Sequence, residues 1–121
     1  MIGYVNLGTN DLPRAARFYD ALLAVIGAKR FMESERSVAW SNGGTGLVVC
    51  KPFDGKAASV GNGVMIALAA GSKANVDALY GKALELGGKD EGPPGPRGTG
   101  GYYGAYFRDL DGNKLCAFHM G

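Results

Sequence analysis

Long apolar runs, blocks of like charge and clustered cysteines are all scarce in this sequence of 121 residues. The apolar stretch from Ala21 to Ala28 is far too short to span a bilayer. The opening Met1-Ile2-Gly3-Tyr4-Val5 has neither the basic start nor the apolar segment of a secretory leader. The expectation is a cytoplasmic protein with no membrane partner. Thirteen Lys plus Arg stand against eleven Asp plus Glu, and the resulting +2 is scattered, so no basic stripe exists to neutralise a row of phosphates. Nucleic acid is not an expected partner. The two cysteines, Cys50 and Cys116, lack metal-finger spacing and read as free thiols rather than a disulfide. His119 is the only histidine. An unperturbed pKa of about 6.5 suits proton transfer, but strand parity puts His119 on the opposite face from Cys116, close to the C-terminus. A solvated or edge-packed imidazole is expected there.

Glycine is abundant, at 21 residues without a fixed period, which excludes a collagen-like repeat and calls for many turns. Residues 2–8 alternate as a half-buried strand. Asn10 or Asp11 then caps a helix that tolerates Pro13 in its first turn, carries Ala15, Phe18, Leu22 and Ile26 on one face, and stops at Gly27. Strands are expected near 29–34, 37–42 and 46–52, with Asn42-Gly43-Gly44 as a turn. After a polar connector from Pro52 to Asn62 the order begins again. Val64 to Leu68 reads as a strand, Ser72 caps a helix with Val76, Leu79, Ala83 and Leu86 on one face, and strands follow near 89–91, 102–109 and 114–119. Asp111-Gly112-Asn113 is the turn between the last two. The run from Gly92 to Gly101, rich in glycine and proline, reads as a loop, since prolines lack the ladder donor.

Strand, helix and three strands thus occur twice, with Tyr4 and Met65 61 positions apart, as are Gly27 and Gly88. The fold class is α+β, in one domain over residues 1–121 with a first module of about 1–53 and a second of about 62–121. Two tandem βαβββ modules are expected to form a curved mixed sheet around a cup, with one helix per module on the convex side.

Three segments carry a family likeness. They are Gly3-Tyr4-Val5-Asn6-Leu7-Gly8-Thr9-Asn10-Asp11-Leu12 with Arg17-Phe18-Tyr19-Asp20, then Gly61-Asn62-Gly63-Val64-Met65-Ile66-Ala67, and last the run from Gly101 through Tyr102, Tyr103, Tyr106 and Asp109-Leu110-Asp111-Gly112-Asn113 to Lys114. In this order they resemble the vicinal oxygen chelate superfamily, the glyoxalase, bleomycin-resistance and extradiol-dioxygenase group. The resemblance implies one divalent metal held by His on the first strand of each module and Glu on the last strand. Here those positions fall on Tyr4, Met65 and Cys116, and a further carboxylate position falls near Val48. A phenol with a pKa of about 10 and a neutral thioether do not replace two imidazoles. No metal and no other cofactor are therefore expected.

The residues expected to line the ligand pocket are Tyr4, Asn6, Trp40, Met65, Arg97, Tyr102, Tyr106, Cys116 and Phe118, with no catalytic residue among them. Phe53 offers another flat surface, and Lys51 and Arg108 further cations for an anionic group. The leading expectation is a binding protein for a small aromatic or amphipathic molecule, assembled as a homodimer. The alternatives are a metal-dependent lyase, isomerase or dioxygenase with a non-standard ligand set, and a non-catalytic dimeric structural or regulatory module.

Overall fold

The computed structural model describes residues 1–121. Ten elements follow in order: β1 (Tyr4–Gly8), α1 (Leu12–Ala24), β2 (Lys29–Glu33), β3 (Ser37–Ser41), β4 (Gly46–Cys50), β5 (Ile66–Ala69), α2 (Lys73–Glu85), β6 (Lys89–Pro96), β7 (Tyr102–Arg108) and β8 (Lys114–Met120). They are the two βαβββ modules of an α+β fold. Each module makes its own four-stranded sheet, in the orders β1-β4-β3-β2 and β5-β8-β7-β6. The first and last strands of a module pair parallel and the rest antiparallel.

Both helices begin at a capping side chain. Asp11 accepts from the Arg14 amide at 3.1 Å, and Ser72 accepts from the Asn75 amide at 3.1 Å. Each cap satisfies a first-turn N–H that has no partner within its helix. Past the helix ends, Gly27 and Gly87 sit at φ +74° and +100°, where a Cβ would be strained.

One core joins the two modules. Phe18, Tyr19 and Leu22 of α1 meet Val76, Leu79 and Ala83 of α2 in a cluster that also takes Leu7, Trp40 and Val49 from the first sheet and Phe107, Leu115 and Ala117 from the second. Burial of each large side chain is worth about 1.5–3 kcal/mol. Alternation along the strands then turns the opposite set outward.

The polar seam between the modules runs through the turn after β7. Asp109 accepts from the buried Tyr19 hydroxyl at 2.6 Å, and Asp111 accepts from the Thr9 hydroxyl at 2.6 Å. Asn113 Nδ2 donates to the Gly8 carbonyl at 3.0 Å.

One expectation is corrected. The Gly92–Gly101 run is not wholly loop, because its first half extends β6 as far as Pro96. The strand lies on the sheet edge and its register shifts on both sides of Gly92. An edge strand with such irregularities tolerates prolines, since the missing N–H faces away from the ladder. No helix is long and apolar enough to cross a membrane.

Candidate functional site

The outward face of the first sheet is set by the strand pleat. Leu7, Val38, Trp40, Leu47 and Val49 point to the helices, which leaves Tyr4, Asn6, Ala39, Val48 and Cys50 on the other side. The connector after β4 folds over this second face. Asn10 pins it by accepting from the Ala58 amide at 2.7 Å and donating to the Ala58 carbonyl at 3.3 Å. Arg36 holds its near end by donating to the carbonyls of Lys51 and Pro52 at 3.3 and 2.9 Å, with the guanidinium 5.9 Å from the centre of the Phe53 ring. Between sheet and connector lies a cavity of about 810 Å³, within the range for small ligands.

Its wall comes entirely from the first module and the connector. Tyr4 and Asn6 are the two expected pocket residues on it, together with Phe53 and Lys51. Asn6 Nδ2 donates to Cys50 Sγ at 3.0 Å. Tyr4, Phe31 and Phe53 are 67%, 62% and 96% exposed, so three aromatic rings of this wall stand in solvent. Phe31 and Met32 were not singled out from the sequence. Two consecutive apolar residues reach one cavity because the pairing of β2 with β3 slips between Arg30 and Met32.

A second aromatic face lies on the other sheet. Tyr102, Tyr106, Cys116 and Phe118 share the side of β7 and β8 turned away from the helices. Tyr102 stacks on Phe118 with ring centres 5.7 Å apart and planes 3° apart. The Tyr102 hydroxyl lies 3.1 Å from the fully buried Cys116 Sγ. Burial, followed by the neighbouring Cys116 and Tyr106, raises the Tyr102 pKa well above that of a free phenol, so the hydroxyl is neutral at pH 7. Arg97, at the end of β6, lies over the Tyr106 ring at 5.5 Å.

The expected pocket residues therefore fall into separate places within one chain. Trp40 stands on neither outward face, because it points to the helix side, is 1% exposed, and donates from Nε1 to Asp20 at 2.8 Å. Met65 lies just outside β5 and borders, with Trp40, Leu23, Ile26 and Leu47, a smaller cleft of about 490 Å³ between the modules.

The family model of the Glyoxalase/Bleomycin resistance protein/Dioxygenase superfamily matches residues 1–117. The chain belongs to this superfamily. A glyoxalase/bleomycin resistance protein from Albidiferax ferrireducens is similar at 35% identity and a TM-score of 0.93, covering 100% of this chain and 99% of that one. A hypothetical protein from S. aureus is similar at 29% identity and a TM-score of 0.76, over 98% and 92% of the two chains. A lactoylglutathione lyase from Agrobacterium tumefaciens, at 23% identity and a TM-score of 0.72 over 98% and 92%, shares the fold. No curated protein matches the chain.

The divalent metal implied by the superfamily resemblance does not fit the side chains present. Tyr4 lines the first cavity, Met65 borders the cleft between modules, and the Cys116 thiol is sealed beneath Tyr102. No three His, Cys, Asp or Glu side chains group anywhere in the chain as a cation site. A phenol, a thioether and a single thiol are a poor donor set for a hard or borderline cation.

Proposed function

We propose that this member of the glyoxalase/bleomycin-resistance superfamily binds a small aromatic or amphipathic molecule without a divalent metal, and does so as a homodimer. The observation that carries the reading is the cavity of about 810 Å³ over the first sheet, walled by one module and left with Tyr4, Phe31 and Phe53 in solvent. Exposed apolar side chains gathered on a concave surface mark a binding or contact site.

A second copy supplies the missing wall in this reading. Its second-module face, with Tyr102, Tyr106 and Phe118, closes over the first-module face of its partner, and the same two-fold operation closes the other cup. The free edges of β1 and β5, each bonded on one side only, are covered by the same contact. The compartment proposed is the cytoplasm.

Sedimentation equilibrium at micromolar concentration, with elemental analysis of protein purified without chelator, tests both halves. A dimer holding no stoichiometric transition metal is the expected result. A monomer at 100 times the working concentration overturns the shared cup. Stoichiometric metal that leaves with chelator overturns the metal-free reading and returns a metal-dependent lyase, isomerase or dioxygenase.

A further inference from the structure

The glycine and proline run along and after the edge strand β6 has a use in the folded chain. Two of its glycines, with Gly104 on the neighbouring β7, clear space for larger side chains. A Cβ on Gly92 would lie 3.0 Å from the Tyr106 ring and 3.4 Å from the Arg97 guanidinium, and one on Gly95 would lie 3.1 Å from the same guanidinium. A Cβ on Gly104 would lie 2.7 Å from the Tyr102 ring. The glycines thus let two tyrosines and an arginine lie flat on the sheet.

Arg97 is folded back and held there. Its guanidinium donates to the carbonyls of Pro93 and Pro96 at 2.6 and 3.3 Å while covering Tyr106. Lys114 places its ammonium 5.7 Å from the centre of the same ring. Two cations therefore converge on one aromatic side chain, although like charges repel. Neither has a carboxylate partner, since the ion pairs of the chain engage Arg14, Arg30, Lys82 and Arg108. Arg108 emerges from the same side of β7 but is neutralised by Glu91 at 2.6 Å. The Tyr102 phenol adds no negative charge to this face at neutral pH, since burial raises its pKa.

We infer that the outer face of the second module is a platform for a planar aromatic anion, with the Tyr102–Phe118 pair taking the ring system and Arg97 and Lys114, the cations over Tyr106, taking a carboxylate, sulfonate or similar acid. A guanidinium with free N–H groups and an ammonium each form charge-assisted hydrogen bonds with an acid, stronger than neutral ones. This deepens the function proposed above by naming the ligand class, and it rests on that reading only for what closes over the platform.

Two fluorescent probes separate charge from apolar contact. 8-Anilinonaphthalene-1-sulfonate and N-phenyl-1-naphthylamine share one ring skeleton and differ by the sulfonate. The natural chain is expected to hold the sulfonate about tenfold more tightly than the neutral amine, the size of one charge-assisted hydrogen bond. Arg97→Gln with Lys114→Gln removes that preference and leaves the neutral probe within about twofold. Lys114→Gln alone, which breaks no hydrogen bond of the fold, lowers the preference by about threefold. Equal affinity for the two probes in the natural chain, or an undiminished preference in the double variant, overturns the inference. The outcomes are separable from the dimer reading, because a monomer that keeps the preference upholds the platform and refutes the shared cup, whereas a dimer without it does the reverse.

Discussion

Replacing Tyr19 with Phe removes one oxygen and severs the buried bond between the modules. Tyr19 is fully buried, edge-on to Phe18 at 5.1 Å and tilted against Trp40 at 5.6 Å, so the ring remains packed when the hydroxyl is lost. The hydroxyl gives its proton to Asp109 at 2.6 Å. That carboxylate, 5% exposed, also accepts from Asn113 Nδ2 and from the backbone amides of Asp111 and Asn113, each at 2.9 Å. A hydrogen bond to a charged group contributes about 1.5–3 kcal/mol. The three remaining donors keep the carboxylate solvated, so the loss belongs near the middle of that range, about 2 kcal/mol. At this chain length that is a fall in Tm of about 8 °C. Asp109→Asn is worse, about 3 kcal/mol, because an amide presents N–H groups where two or more donors already point at it. Urea unfolding followed by circular dichroism, with m unchanged, reads both values. A Tyr19→Phe cost below about 0.5 kcal/mol would refute the view that this bond couples the modules.

The other predictions concern pH, a glycine and the indole. Burial, then Asp109, holds the Tyr19 pKa well above 10.0, so the folded chain keeps a proton that the unfolded chain loses. That contribution is complete below pH 10 and falls as pH rises beyond it, at up to about 1.4 kcal/mol per pH unit, and denaturation at pH 9, 10 and 11 should show a shallower fall in the Tyr19→Phe variant. At the acid end the hydrogen bond from Arg30 lowers the Asp20 pKa below 3.8. That contribution is present above this value and lost as pH falls below it, which Asp20→Asn should flatten in an acid titration. Gly88→Ala puts a Cβ 2.6 Å from the Arg108 carbonyl oxygen and 2.8 Å from that of Ala83, both backbone atoms, so a loss of about 3 kcal/mol is expected in urea, against about 1 kcal/mol for Gly43→Ala, where only φ +113° is at stake. Trp40→Phe should cost about 2 kcal/mol through the lost bond to Asp20 and lost volume, with affinity for the aromatic probes unchanged because the indole faces the helices.

Local signals carried the fold far. The caps Asp11 and Ser72 stand 61 positions apart, and so do both ends of α1 and α2, so the duplication visible in the sequence persists in the backbone. Where neighbours compete, the reading weakened. Residues 38–40 of the central strand β3 are buried on both faces, and Val-Ala-Trp is apolar in either phase, so nothing local says which way Trp40 points. The Gly-Pro run breaks ladder rules that do not bind an edge strand. For the site, parity correctly grouped Tyr4 with Asn6 and Cys116 with Phe118. Alternation is a property of one strand, and it carries no information on whether two outward faces, 61 residues apart in register, turn toward one another within a chain.

That silence follows from the duplication itself. Each module solves the same local problem, burying one side of its sheet on a helix, and the shared core of α1 and α2 joins the two helix sides. The outer faces then have different chemistry at equivalent places, with Asn6 on one matched by Ala67 on the other, and with Arg97 and Lys114 over Tyr106 on the second alone. In the proposed dimer a single two-fold axis that sets unlike faces together produces two identical cups, each with one wall carrying Tyr4, Phe31 and Phe53 and one carrying Tyr102, Phe118, Arg97 and Lys114. Setting like faces together would instead place the cations of two chains opposite one another, a repulsion that only bound anions or salt relieve. Raising sodium chloride from 50 mM to 1 M therefore discriminates between the pairings, since dimerisation through unlike faces should be nearly indifferent to it, whereas a like-face dimer should tighten as its cations are screened.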